Sequence, residues 1–231
     1  MVAAVTAATT AFDPVEMPGT AAVELYDVYV RHPVDAARAV LRGVTLIVPE
    51  GGYTAVLGGP ESGKTTLLNV VGLVRRPERG ECVLFGEATS ELEAFERARI
   101  RRQIEFVAAD PTLVPHLTVQ ENVMLGMFTD PIAAPERHSR ATDLLRVVGM
   151  ADCADMPAAK LSGGECGRVA IAGALASRPS LLLVDDPKPD VLDALDAVRV
   201  GGLTMITATC DPAVAERADK VVRLEASVSS G

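Results

Sequence analysis

Tryptophan is absent from this 231-residue chain, and all aromatic residues together make up 3% of it. Its core must therefore be built from Val, Leu, Ile and Ala. Hydrophobic residues reach 48%, which excludes disorder and is enough for one α/β domain or a core domain with a subdomain. Basic charge is scarce too. The 22 Lys and Arg against 31 Asp and Glu leave a net charge of −9, which disfavours a nucleic-acid partner bound through a basic surface. No apolar run reaches the length of a membrane span. The four cysteines, at 82, 153, 166 and 210, have no metal-ligand spacing and read as free thiols in a reducing cytosol. No Lys or Arg falls within the Ala/Thr-rich residues 1–20. That makes a poor secretory signal, and a flexible tail ahead of one domain over 21–231 is the expectation.

Apolar patterning gives the order of elements. Strands are expected over 22–30, 44–48 and 53–57, and the first two pair as an antiparallel lobe. Further strands are expected over 82–85, 104–108, 181–184, 204–208 and 220–224, with helices over 91–102, 118–128 and 137–148. Thr118 and Glu121 have the spacing of a capping box. Strands alternating with helices argue for an α/β domain with a mostly parallel sheet flanked by helices. The helix-rich stretch 86–176 is expected to be a subdomain inserted between core strands. One basic run, Arg97-Ala98-Arg99-Ile100-Arg101-Arg102, has the charge to meet a lipid surface or an acidic partner, although most such runs are solvated helix faces.

Three stretches carry chemistry. The first is Val56-Leu57-Gly58-Gly59-Pro60-Glu61-Ser62-Gly63-Lys64-Thr65-Thr66, entered from an apolar strand and leading into an apolar helix. Glycines let backbone N–H groups turn toward phosphate oxygens, and the helix start adds a favourable dipole. Lys64 is placed to reach terminal phosphates and Thr65 to ligate Mg²⁺. The second, Leu181-Leu182-Leu183-Val184-Asp185-Asp186, is an apolar strand delivering carboxylates at its end. Mg²⁺ prefers hard oxygen ligands and keeps several waters, so Asp185 beside Thr65 suffices. Asp186 is a candidate general base for an attacking water. The third, Leu161-Ser162-Gly163-Gly164-Glu165, opens a helix with Ser162 as cap and exposes N–H groups as another phosphate receptor.

Together these stretches resemble the nucleotide-binding domain of ATP-binding-cassette transporters over residues 23–224, a P-loop NTPase core with an antiparallel lobe and an inserted helical subdomain. Pro115-His116-Leu117-Thr118-Val119-Gln120-Glu121-Asn122-Val123 and Asp211-Pro212-Ala213-Val214-Ala215-Glu216-Arg217-Ala218-Asp219 are most similar to the branch serving lipoprotein-release and macrolide-efflux permeases. The resemblance implies ATP and Mg²⁺ as ligands and a membrane permease as partner, with the chain peripheral on the inner face of the membrane. It also implies a second nucleotide-binding subunit stacked head to tail. ATP is then held between residues 58–66 of one subunit and the signature 161–165 offered by the other. The adenine-stacking aromatic maps onto His32, with Tyr29 as the other candidate.

Several positions depart from the family pattern. Ala109 stands where a Gln closes the strand ending near 108. Asp186 replaces the catalytic Glu, Cys210 replaces a His, and Glu61 replaces a Gly inside the loop. The D-loop after Asp186 is a residue out of register, and the chain between Asp186 and Cys210 is short for the usual helix. Apart from the D-loop, these changes fall on the half-site the chain builds around its own loop, while the signature is intact. The expectation is an ATP-binding transporter subunit with an impaired catalytic site, paired preferably with a different, complete subunit rather than with a second copy. Two alternatives stand beside it: a non-hydrolysing regulatory or scaffold protein docking to a membrane partner, and a soluble recombination- or repair-type P-loop ATPase.

Overall fold

The computed structural model describes residues 20–32, 34, 38–199 and 201–225. Apart from Thr20, the tail expected over 1–20 lies outside the described residues. The chain opens with β1 (Ala21–Arg31), β2 (Ala39–Pro49) and β3 (Tyr53–Leu57), followed by α1 (Lys64–Val71). Next come β4 (Arg79–Leu84), the two-residue β5 (Glu87–Ala88), α2 (Ala94–Arg101) and β6 (Ile104–Val107). Three helices follow, α3 (Val119–Leu125), α4 (Ala134–Val147) and α5 (Gly163–Ala176). The last part holds β7 (Leu181–Asp185), α6 (Leu192–Arg199), β8 (Thr204–Thr209), α7 (Pro212–Ala215) and β9 (Lys220–Arg223).

Burial sorts the strands into two sheets. β1 and β2 show broken alternation of buried and exposed residues and lie in an antiparallel sheet of order β2-β1-β4-β5. The register slips between Leu25 and Val28, where Asp27 takes a positive φ of 50°. That bend presses against Gly80, where an added Cβ would fall 2.2 Å from the Asp27 carbonyl oxygen. Glycine is the residue that fits there. By contrast β3 and β8 are buried along their whole length, as is β7 up to Val184. Unbroken apolar runs of this kind belong in a parallel sheet covered on both faces, and the observed order is β6-β7-β8-β3-β9 with every pairing parallel.

Leu67, Leu68, Val70 and Val71 of α1 share a core with β1, β2 and β4 on one side and with Val56, Leu181 and Ile206 of the parallel sheet on the other. α1 is thus wedged between the two sheets. The opposite face of the parallel sheet is covered by α3, α4, α5 and α6 through Val119, Val123, Leu145, Val169, Ile171 and Leu195. Each fully buried aliphatic side chain of this sort contributes about 1.5–3 kcal/mol. Within 86–176, β5 and β6 pair into the two sheets, while α3, α4 and α5 pack against one another.

The helix starts follow their sequence signals. Thr118 Oγ1 accepts the Glu121 N–H at 3.1 Å while the Glu121 carboxylate accepts the Thr118 N–H at 2.8 Å, completing the expected capping box. The basic run on α2 is largely consumed internally. Arg97 donates to the Leu73 carbonyl, Arg99 pairs with Glu87, and Arg101 donates to the Ile104 carbonyl. Cys82 is buried among the strands of the antiparallel sheet, and burial pushes its thiol up to about 12. Three elements had no counterpart in the sequence reading: β5, α6 and α7. The stretch after Asp186 holds the eight-residue α6, and Asp211-Pro212 starts α7 with the Asp211 carboxylate accepting the Ala213 N–H at 2.9 Å.

Candidate functional site

The carboxyl ends of parallel strands are where open α/β sheets hold ligands, because the loops diverge there and helix starts point into the gap. Here the loop after β3 carries 58–66, the end of β7 carries Asp185 and Asp186, the end of β8 carries Cys210, and the end of β6 carries Ala109. All four strands are parallel, so the sequence-predicted residues gather along one edge.

The loop after β3 curls around the ammonium of Lys64. Its Nζ donates to the carbonyls of Gly58 and Gly59, each at 2.8 Å. Ser62 is buried, and its N–H donates to the Gly59 carbonyl at 3.3 Å. Gly58 is forced by crowding, since an added Cβ would lie 2.5 Å from Ser62 Oγ and from the Leu224 carbonyl oxygen. Gly63, with φ of 96°, caps α1 and packs beneath Val40 and Leu41 at the start of β2. Residues 61–66 of this loop line a cavity of about 420 Å³ together with His32, Arg38, Val40, Asn69 and Arg75. Its size is in the range of small-ligand sites.

Thr65 Oγ1 donates to Asp185 Oδ2 at 2.8 Å, joining the first turn of α1 to the end of β7. Burial pushes the Asp185 carboxyl above its ordinary range, and the neighbouring Asp186 charge adds to this, while the Thr65 hydrogen bond and Lys64 oppose it. An inward-facing carboxylate beside a hydroxyl, both hard oxygen donors, fits a Mg²⁺ site that leaves the remaining positions to water and phosphate. The Lys64 cradle and the open cavity above it fit a polyphosphate. Asp186 follows with a positive φ of 44°, its N–H donating to the Ala208 carbonyl at 2.7 Å and its Oδ1 lying 3.9 Å from the Cys210 thiol.

Residues 161–165 lie elsewhere. Among the described residues, none of them lines the cavity over Lys64. Ser162 caps α5 with a full capping box, its N–H donating to the Glu165 carboxylate at 2.7 Å. That backbone bond, seconded by the Ser162 hydroxyl, holds the Glu165 carboxyl below its ordinary range. Gly163 is exposed. Gly164 is buried against the turn Pro189–Val191, where an added Cβ would sit 1.5 Å from Asp190 Oδ2. One reason for glycine at 164 therefore lies within the chain itself.

A model of the ABC transporter family matches residues 41–188, well over half of the chain. The chain belongs to the ABC transporter family. Among its relatives, the lipoprotein-releasing system ATP-binding protein LolD of Anaeromyxobacter dehalogenans is 40% identical, the match covering 90% of this chain and 92% of LolD. LolD 1 of Caulobacter vibrioides is 39% identical, with 84% of this chain and 87% of that protein covered. The macrolide export ATP-binding/permease protein MacB of Brucella melitensis is 36% identical over 90% of this chain, which spans only 34% of MacB. In three dimensions the chain is similar to the ATP-binding cassette MJ0796 in a dimeric post-hydrolysis state bound to ADP and Pi, with a TM-score of 0.77 and 30% identity, covering 88% of this chain and 96% of that one.

Three of the positions expected from the sequence to depart from the family pattern share one place, while the fourth, Glu61, lines the Lys64 cavity. Ala109, Asp186 and Cys210 line a second cavity of about 240 Å³, along with Asp110 and Lys188. Lys188 Nζ pairs with Asp110 Oδ1 at 2.7 Å, tying the loop after β7 to the loop after β6. Neither this ion pair nor the cavity contacts of Arg38, Asn69 and Arg75 were among the sequence-predicted residues. The ion pair and the place of Arg38 depend on segments that meet only in the fold. The adenine candidates separate: His32 lines the Lys64 cavity, whereas the ring of Tyr29 lies under Arg79, 5.0 Å from its guanidinium carbon.

Proposed function

We propose that this chain is the nucleotide-binding, energy-coupling subunit of a membrane transporter, peripheral on the inner face of the membrane, and that its own catalytic site is impaired. The observation that carries the binding half is the Thr65–Asp185 bond of 2.8 Å beside the Lys64 cradle, which brings the phosphate and metal donors to one sheet edge. His32 faces the base end of the same cavity and Lys64 the phosphate end. Mg²⁺, when bound, supplies charge neutralisation for the phosphates; Thr65 and Asp185 hold it. Asp186 orients the attacking water, but from a carboxylate one methylene back from the family's Glu.

The capped, outward Ser162 and Gly163 suit the second half-site, the one this chain lends to a neighbouring cassette. That neighbour is preferably a different subunit carrying Gln, Glu and His at the positions of Ala109, Asp186 and Cys210. The names of LolD and MacB associate relatives with lipoprotein release and macrolide export. They support a permease as partner here, and cargo selection would belong to that permease. No helix among the described residues is long and apolar enough to cross a membrane.

The test is calorimetry and phosphate release on the purified chain. The expected result is Mg²⁺-dependent ATP binding that weakens at least about 100-fold in Lys64→Ala, with phosphate release near background. Turnover typical of transporter ATPases that disappears in Asp186→Asn would overturn the impaired-site reading. The pairing of Ala109 with Cys210 favours one second reading, a non-hydrolysing cassette kept for docking. Retention of a permease partner by Lys64→Ala would support that reading instead.

A further inference from the structure

We propose that Arg38 is the counter-charge that lets a polyphosphate seat on a loop bearing its own carboxylate, Glu61. This inference rests on the nucleotide-site reading above. Glu61 adopts φ of 60°, a left-handed backbone in which glycine is unstrained and a longer side chain is not. The residue therefore costs local strain and also sets a negative charge on the rim of the cavity that phosphates must enter. Arg38 answers that charge. Its Nη2 lies 2.6 Å from Glu61 Oε2.

The approach is built into the fold. The His32 N–H donates to the Arg38 carbonyl at 2.7 Å, so Arg38 is held across from the end of β1. Val40 and Leu41, just beyond it, press on Gly63 and fix the start of β2 over the loop. Arg38, Glu61 and Lys64 all line the same cavity. The neighbouring cations are already engaged: Lys64 by the Gly58 and Gly59 carbonyls, Arg75 by the Arg31 carbonyl and Glu78.

Stability does not account for the pair. The side chains are 34% and 73% exposed, and ion pairs in that setting contribute little to folding. Its position at the mouth of an anion site gives it another effect. With Arg38 present the Glu61 charge is balanced; without it, a fixed negative charge faces a ligand of up to four negative charges. With Glu61 absent instead, the Arg38 fork is released to donate to phosphate.

The experiment is titration of the intact chain with ATP, ADP and AMP in Mg²⁺ buffer, at low and high salt, for wild type, Arg38→Ala, Arg38→Lys, Glu61→Gly and Arg38→Ala/Glu61→Gly. Thermal melts of each variant check folding. Arg38→Ala is expected to weaken ATP binding by about tenfold at low salt, less for ADP and least for AMP, with the deficit shrinking as salt rises. Arg38→Lys keeps most of the affinity. Glu61→Gly binds a few-fold tighter than wild type, and the double variant recovers most of what Arg38→Ala loses. A double variant as weak as Arg38→Ala would overturn the proposal, because Arg38 would then act on the nucleotide directly. So would an Arg38→Ala chain that binds like wild type. A wild-type chain that binds none of the three nucleotides would instead overturn the nucleotide-site reading, and this inference with it.

Discussion

Lengthening the acid after β7 by one methylene tests the proposal that its carboxylate is set too far back for catalysis. Asp186 lines the 240 Å³ cavity, its main chain fixed by the bond to the Ala208 carbonyl. Asp186→Glu carries the carboxylate further into that cavity by about 1 Å, and a misplacement of that size is worth about 10²-fold in rate, or roughly 2.7 kcal/mol of barrier. The backbone φ of 44° opposes the change slightly, because aspartate tolerates the left-handed region better than glutamate. That cost is of order a few tenths of a kcal/mol, far below the expected gain. Steady-state phosphate release from Mg²⁺–ATP, measured over a series of chain concentrations with Lys64→Ala as background, should therefore rise about 10- to 100-fold in Asp186→Glu. Adding Cys210→His puts an imidazole in place of the thiol that now lies 3.9 Å from the acid and should increase the rate again. The reasoning fails if Asp186→Glu binds ATP as tightly as wild type yet releases phosphate at the Lys64→Ala rate.

Asp185 makes a pH prediction. Its carboxyl is raised above the ordinary 3.8, chiefly by burial. The folded chain thus keeps a proton that the unfolded chain has released, and metal-free stability falls as pH rises through that window and levels off above it. Asp185→Asn keeps an acceptor for Thr65 and removes the buried charge. Melts in chelator from about pH 4 to 7 should show the decline in wild type but not in the variant, which at neutral pH melts no lower than wild type and has lost the Mg²⁺ dependence of ATP binding. A clearly lower melting temperature would refute the burial account. Thr118→Ala removes one half of the α3 capping box and should cost about 1 kcal/mol, or about 2–4 °C in melting temperature. ATP binding by the isolated chain should be unchanged.

Much of the fold was legible because the signals were local and periodic. The unbroken apolar runs of β3, β7 and β8 identified the buried parallel strands, and Ser162 as a cap and the Thr118–Glu121 spacing marked helix starts. The loop 58–66 and Asp185 declared their chemistry through residue type and spacing, and the fold brings them within a hydrogen bond. What escaped was set by contact between distant segments. α6 shows an apolar stripe through Leu192 and Leu195, but at eight residues it is shorter than the window over which helical periodicity stands out. Lys188–Asp110 joins residues 78 positions apart, and Arg38 meets Glu61 of the loop after β3, 23 positions on, so neither pair has a sequence period to betray it. The arginines of α2 looked like a basic face; their carbonyl and carboxylate partners lie 3 to 24 residues away.

The placement of the departures bears on what they mean. Neutral drift scatters over a molecule. Ala109, Asp186 and Cys210 instead line one cavity, and the Lys188–Asp110 ion pair spans it. The phosphate side a strand away keeps its Lys64 cradle and Thr65–Asp185 bond, and its single intruding charge, Glu61, is met by Arg38. Holding a triphosphate and activating water against it draw on different atoms, so the second can be lost while the first is kept. The signature helix is likewise maintained, with Ser162 capped and Gly164 close-packed on Asp190. Under the proposed reading, a chain that binds nucleotide and faces a second cassette needs those two surfaces ordered, whatever its groups at 109, 186 and 210 do with water.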